Sequence, residues 1–179
     1  MKTRGQTTVR GLHVRSDFRV TVNKDYLVFS SAHFITFRGH QCEALHGHNY
    51  RVGVTVEGNV DDECLFVVDF SILKKVVRTL VDEIDHRVLL PTRNAKLGFR
   101  DEGPQRQVDY FGKHTYTFPA SDCAMMPIEN TTAEMIAQYF AHRTHDALAA
   151  LGVKNLTAIE MEIEESFGQS ATYRLSVTP

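Results

Sequence analysis

A chain of 179 residues, 42% of them hydrophobic, is one domain long and supplies enough apolar side chain for an ordinary core. Its formal net charge of −2 gives no electrostatic basis for nucleic acid or membrane binding, so neither is expected as a partner. Cys42, Cys64 and Cys123 show no CxxC spacing, the start Met1-Lys2-Thr3-Arg4-Gly5-Gln6 lacks the apolar segment of a secretory signal, and the longest apolar run, near Leu65-Phe66-Val67-Val68, is too short to span a bilayer; together these predict a reduced, cytoplasmic protein.

From Phe18 to Phe34 the chain is rich in Val, Phe and Tyr, with Asn23-Lys24-Asp25 as a bend or bulge. Tyr50 to Gly58 alternates Val52, Val54 and Val56 against Arg51, Thr55 and Glu57, which predicts a long antiparallel hairpin. Ser71 to Ile84 places Ile72, Leu73, Val76, Val77, Leu80, Val81 and Ile84 at helical intervals, an amphipathic helix preceded by Asp69 as an N-terminal charge. Thr92 to Met126 reads as a polar loop followed by a β-hairpin, Val108 to Phe111 and His114 to Phe118 around Gly112-Lys113. A second helix is expected from Thr131, where Thr131-Thr132-Ala133-Glu134 has capping-box spacing, to near Gly152. Leu156 to Glu165 and Ala171 to Val177 complete the chain as a hairpin across Gly168-Gln169. The expected fold is therefore α+β, a single domain over residues 1–179 with order ββααββ: a four-stranded antiparallel sheet, two helices on one face, and an extra hairpin. Such a sheet leaves two edges and a face in need of protection.

The connection of the first hairpin carries the chemistry. His46 and His48, two apart on an extended chain, project to one side, Gly47 keeps the backbone uncrowded, and His33 offers a third imidazole. An HxH tripeptide also arises by chance among nine histidines, but His33 and Cys42 nearby reduce the weight of that explanation. Three histidines leave a fourth position open to substrate, as in catalytic zinc sites; imidazole also suits iron, nickel or copper, so spacing favours zinc without excluding them. In the last hairpin Ile159, Met161 and Ile163 alternate with Glu160, Glu162 and Glu164, so continued parity puts Glu165 on the apolar side, where an acid must be paired, protonated or used; a strand that ends or bulges first would return it to solvent. Asp85-His86 reads from the residues alone as a pair at a helix C-terminus. Cys64 and Cys123 read as ordinary small apolar residues.

The segments Phe29-x-x-Ala32-His33, Cys42-x-x-x-His46-Gly47-His48-Asn49-Tyr50, Val68-Asp69-Phe70, Asp85-His86, Glu129-Asn130-Thr131-Thr132-Ala133-Glu134 and Glu165 before Tyr173 occur in an order that resembles the 6-pyruvoyltetrahydropterin synthase and 6-carboxytetrahydropterin synthase family. The resemblance runs from Phe18 onward and fails between about Pro91 and Pro127, so the segment of about 92–126 reads as an insertion, with structural decoration favoured over substrate contact. It implies the tunnelling fold, a homohexamer of two trimers with sites between subunits, and Zn2+ on His33, His46 and His48. It also implies Cys42 as base with Asp85 and His86 as a proton shuttle, and Glu165 anchoring a pterin ring lined by Thr131 and Thr132. The implied substrate is 7,8-dihydroneopterin triphosphate. The CxxxH spacing resembles the 6-carboxytetrahydropterin synthases of queuosine and deazapurine biosynthesis, which lose two side-chain carbons as acetaldehyde; the 6-pyruvoyl enzymes of tetrahydrobiopterin synthesis usually have a longer interval. A folate-type branch giving 6-hydroxymethyl-dihydropterin carries a glutamate near the cysteine position. Cys42-Glu43 combines both, leaving Glu43 either an alternative base or a solvated loop acid. A pterin-binding module without turnover is disfavoured by the retention of Cys42, Asp85 and His86.

Overall fold

The computed structural model describes residues 18–177; the reading of the polar start at residues 1–6 lies outside them. Strands β1 (Phe18–His33) and β2 (His46–Gly58) form the expected long antiparallel hairpin, paired from His33 opposite His46 to Phe18 opposite Gly58. The ladder is broken between Asn23, opposite Gly53, and Val28, opposite Arg51, so the expected bulge is present. Val52, Val54 and Val56 are buried on one face. On the other, the Thr21 and Thr55 hydroxyls lie 2.9 Å apart, and Arg174 bridges Glu57 at 2.6 Å and Glu160 at 2.7 Å, with Arg19 pairing the same two acids. That face is thus polar; exposed pairs of this kind contribute about 0–1 kcal/mol each.

Helix α1 (Phe70–Ile84) starts at Asp69, whose side chain accepts the Ser71 N–H at 2.6 Å and the Ile72 N–H at 3.4 Å. The residue read as an N-terminal charge is therefore the N-cap. Leu73, Val77, Leu80, Val81 and Ile84 form the buried stripe, whereas Ile72 is 38% exposed at its margin.

The sheet differs from the expectation. After α1 come β3 (Val88–Pro91), β4 (Leu97–Glu102), β5 (Gln105–Tyr110), β6 (Lys113–Pro119) and β7 (Cys123–Met126). Helix α2 (Ala133–Ala150) and strands β8 (Leu156–Ser166) and β9 (Gln169–Ser176) follow. The order is β7-β3-β1-β2-β8-β9. Its last four strands are the expected antiparallel sheet; β3 and β7 extend it on the β1 edge in parallel, making six strands and a mixed sheet. Leu89 and Leu90 are both fully buried, so β3 reads as a short continuous apolar run without the alternation that marks a half-buried strand.

The segment 92–126 is likewise more than a hairpin. The predicted pair is present as β5 and β6, turning through Phe111 and Gly112 at positive φ, but β4 adds a third strand where a polar loop was expected. Leu97 and Phe99 supply only two apolar side chains among charged neighbours, and they pack on a second small core of Phe34, Leu90 and Val108. Strand β7, within the same segment, belongs to the main sheet.

Helix α2 begins one residue later than the capping-box reading placed it. Thr132, not Thr131, is the N-cap, accepting the Met135 N–H at 3.4 Å, so Glu134 is out of step for a box. Gly152 at φ +87 ends it as expected. Both helices lie over one face of the sheet, enclosing a core that includes Phe29, Tyr50, Leu73, Phe140, Ile159 and Met161. No helix among the described residues is long and apolar enough to cross a membrane.

Candidate functional site

The antiparallel register builds a histidine cluster at the closed end of the β1–β2 hairpin. His33 pairs with His46, and His48 lies opposite Ser31, so all three imidazoles emerge on the buried face of two adjacent strands. One ring nitrogen from each lies within 4.8 Å of the others. Gly47 between them passes close to β1: a Cβ there would sit 3.2 Å from the Ser31 carbonyl oxygen.

Each ring is oriented through Nδ1. His33 Nδ1 lies 2.8 Å from the Thr131 carbonyl and His46 Nδ1 2.9 Å from the Ala44 carbonyl, while His48 Nδ1 lies 3.3 Å from Ser166 Oγ. A carbonyl only accepts, so Nδ1 carries the proton in His33 and His46, leaving the Nε2 lone pair for an ion. Burial holds the His33 imidazole below its ordinary pKa, against the opposing influence of the Thr131 hydrogen bond and Glu165, so the ring is neutral as a ligand must be. The three histidines could hold a metal ion, and this donor set fits a divalent one.

Glu165 faces the same point. Pairing slips between Glu164, opposite Ser170, and Ser166, opposite Gln169, so the bulge that would have turned Glu165 to solvent exists. The side chain nevertheless points inward, accepting from the Tyr50 hydroxyl at 3.3 Å, with Oε1 3.5 Å from His33 Nε2 and 3.9 Å from His48 Nε2. Burial and the Glu165 charge push the Tyr50 phenol far up, so it acts only as a neutral donor. Glu165 and Thr132 line a cavity of about 360 Å³ with Ile35, Glu134 and Ser170. Thr131, expected to line it as well, is fully buried and absent from its walls; its hydroxyl donates to the Phe34 carbonyl at 3.0 Å.

The connection between β1 and β2 folds back through a bridge of Thr36 to Cys42, closed by Glu43 N–H to Ile35 O at 2.9 Å. Cys42 and Glu43 diverge, as neighbours in extended chain must. Glu43 Oε2 lies 3.7 Å from His46 Nδ1, on the cluster side, while Cys42 packs against Phe34, Leu90 and Val108. Burial, with a smaller contribution from the Glu43 charge, raises the Cys42 thiol above its usual value.

Asp85 caps the end of α1, and its Oδ1 accepts the Ser30 N–H at 2.9 Å and lies 3.0 Å from His86 Nδ1. Burial opposes ionisation, but Ser30 and His86 hold the carboxyl below the usual aspartate range. His86, 82% exposed at its side chain, lines a cavity of about 460 Å³ with Ser30, Ala32, Gly47, Asn49 and Arg87. Ser31 and His48 border it too, so this cavity runs along the edge of the same two strands next to the histidine cluster. Among the described residues no hydrogen bond or ion pair joins His86 to Cys42.

Sequence reasoning gave Tyr50 and Asn130 no role. Tyr50 was detectable, since it continues the parity of His46 and His48; Asn130, which pairs twice with the Thr36 backbone at 3.2 Å, carried no such signal.

Comparison with known proteins fits this geometry. Residues 21–176 match the model of a family described as 6-pyruvoyl tetrahydropterin synthase. A relative from Methanocaldococcus jannaschii, carried under the provisional name 6-carboxy-5,6,7,8-tetrahydropterin synthase, is 40% identical over 83% of this chain and 90% of its own. A 6-carboxy-5,6,7,8-tetrahydropterin synthase from Bacillus subtilis is 42% identical over 38% of this chain and 44% of its own. The crystal structure of 6-pyruvoyl tetrahydropterin synthase from Plasmodium vivax superposes with a TM-score of 0.82 at 30% identity, covering 91% of this chain and all of that one. Two further structures of the Plasmodium vivax protein, equally similar, are catalytic-residue mutants in which a glutamate is changed to alanine or to cysteine. With its histidine triad, inward glutamate and near-complete family match, the chain belongs to the 6-pyruvoyl tetrahydropterin synthase family of lyases.

Proposed function

We propose that this protein is a zinc-dependent 6-carboxytetrahydropterin synthase acting on 7,8-dihydroneopterin triphosphate, in the cytoplasm, on the route to queuosine and other deazapurines. The observation that carries the reading is the approach of Glu165 Oε1 to His33 Nε2 and His48 Nε2, at 3.5 and 3.9 Å, beside a cavity large enough for a small heterocycle. His33, His46 and His48 would hold the zinc, which when bound would supply Lewis-acid polarisation of the substrate's side-chain hydroxyls. Glu165 accepts from the amino group and ring N–H of the pterin, a planar two-donor edge that matches a carboxylate. Thr132, at the N-terminus of α2, borders the ring, and Thr131 acts through His33 by fixing its Nδ1 proton.

Cys42, packed against Phe34, Leu90 and Val108, removes a side-chain proton once its connection turns the sulfur out of that pocket, and Asp85 orients His86 to shuttle protons. Because His86 is 82% exposed and has no hydrogen bond or ion pair to Cys42 among the described residues, the shuttle serves a site completed by a neighbouring subunit, in keeping with the homohexamer of two trimers that family resemblance implies.

A second reading is favoured by Glu43. Its carboxylate lies on the cluster side, 3.7 Å from His46, and the similar Plasmodium vivax protein has a catalytic glutamate. Glu43 acting as base gives folate-type cleavage to 6-hydroxymethyl-dihydropterin. Chromatographic identification of the product from dihydroneopterin triphosphate separates the readings. Acetaldehyde with 6-carboxytetrahydropterin, lost in Cys42→Ala, supports the first; 6-hydroxymethyl-dihydropterin, lost in Glu43→Ala, supports the second. A 6-pyruvoyltetrahydropterin product would assign the remaining branch, and unchanged substrate would overturn all three.

A further inference from the structure

The three-stranded insert grips the connection that bears Cys42 and Glu43. At one end, Lys96 Nζ donates to the Phe37 carbonyl at 2.9 Å and Asn94 Nδ2 to Thr36 Oγ1 at 3.0 Å. At the other, the Leu45 N–H, immediately before His46, donates to the Tyr116 hydroxyl at 3.2 Å. The Tyr116 ring lies 5.4 Å from that of Phe34, and Leu45 and Cys42 pack with Leu97, Phe99 and Phe118 around Phe34, Leu90 and Val108. These contacts span the connection from Thr36 to Leu45, and they join elements far apart in sequence, so neither strand pairing nor local turn chemistry requires them. Their consequence is directional: the sulfur is held in an apolar pocket built largely from the insert, while the adjacent carboxylate, accepting the Ile35 N–H at 3.4 Å, is left 3.7 Å from His46.

We propose that the insert is a positioning element, with Tyr116 as its key residue, that fixes which of Cys42 and Glu43 addresses the substrate and thereby sets the proportion of the two products. This rests on the proposed pterin side-chain activity. Tyr116 touches neither substrate nor ion; it acts through the Leu45 amide. Asn94 and Lys96 fix the far end, so releasing either end lets the connection rotate and the thiol leave its pocket.

The test uses the full-length zinc-loaded protein, with Tyr116→Phe as the first variant and Lys96→Met as the second. Iodoacetamide labelling followed by peptide mass spectrometry reports Cys42 separately from the exposed Cys64, which serves as an internal control. The expected result is a several-fold faster labelling of Cys42 in both variants with Cys64 unchanged and zinc content retained, together with a changed ratio of carboxy to hydroxymethyl product. Cys42 labelling at the wild-type rate in both variants overturns the inference. So does a parallel rise at Cys42 and Cys64, which indicates general loosening, or an equal fall of both product rates at constant ratio. Should the wild type leave dihydroneopterin triphosphate unchanged, the functional reading fails on its own, since the labelling comparison still reports whether the insert positions the connection.

Discussion

The Thr131 carbonyl lies 2.8 Å from His33 Nδ1, while the hydroxyl of the same threonine donates to the Phe34 carbonyl at 3.0 Å. One fully buried residue just before α2 thus ties the helix to both the histidine cluster and the backbone beyond β1. Thr131→Val keeps the volume but orphans the Phe34 carbonyl, and should cost about 1–3 kcal/mol in denaturant unfolding. Zinc affinity should fall, on the order of tenfold, because the carbonyl that orients His33 shifts with its residue. A variant with wild-type stability and zinc affinity would show that Thr131 positions nothing.

Glu165→Gln preserves shape while replacing one acceptor oxygen by a donor amide. Pterin affinity in titration calorimetry should drop at least tenfold, for which about 1.4 kcal/mol suffices, with zinc content unchanged because the ligand nitrogens remain. Unaltered pterin affinity would remove Glu165 from the proposed ring-binding role.

The depressed His33 pKa has a definite sign for stability. As pH falls through the ordinary histidine value of 6.5, the unfolded chain takes up a proton that folded His33 resists, so stability is lost downward from there to the folded value. The melting temperature of the metal-free protein should therefore decline from pH 7 to pH 5, and His33→Gln should flatten that slope. An identical slope in the variant would assign the pH dependence to other groups.

Tyr110, at the end of β5, buries its hydroxyl with no hydrogen-bond partner among the described residues. Removing an unsatisfied buried polar atom is neutral or favourable. Tyr110→Phe should melt at or above the wild-type temperature, whereas a clear loss of stability would reveal a partner for that hydroxyl.

A strand's two-residue period carries across a sheet, so side-chain direction in this chain is legible from sequence. Counting put His46 and His48 on a common side of one strand and Glu165 on the apolar side of another, and the side chain points inward even though a bulge intervenes at Glu165. Asp69 and Gly152 were legible as helix ends because caps are local. Strands β3 and β7 were not, since parallel partners brought together by a long excursion leave no turn signal between them. Strand β4 hid behind Arg100, Asp101 and Glu102, whose charges outweigh Leu97 and Phe99 in any local reading. The divergence of Cys42 and Glu43 was foreseeable from their adjacency, but which one faces the histidines depends on packing by Tyr116 and Leu90 from distant segments.

Elemental analysis of the purified protein decides whether His33, His46 and His48 bind one metal ion. About one zinc per chain is expected in the wild type, and its loss in His48→Ala with the fold retained. Wild-type protein without zinc after exposure to excess metal, or a His48→Ala variant that retains it fully, would rule out a metal centre on these three side chains.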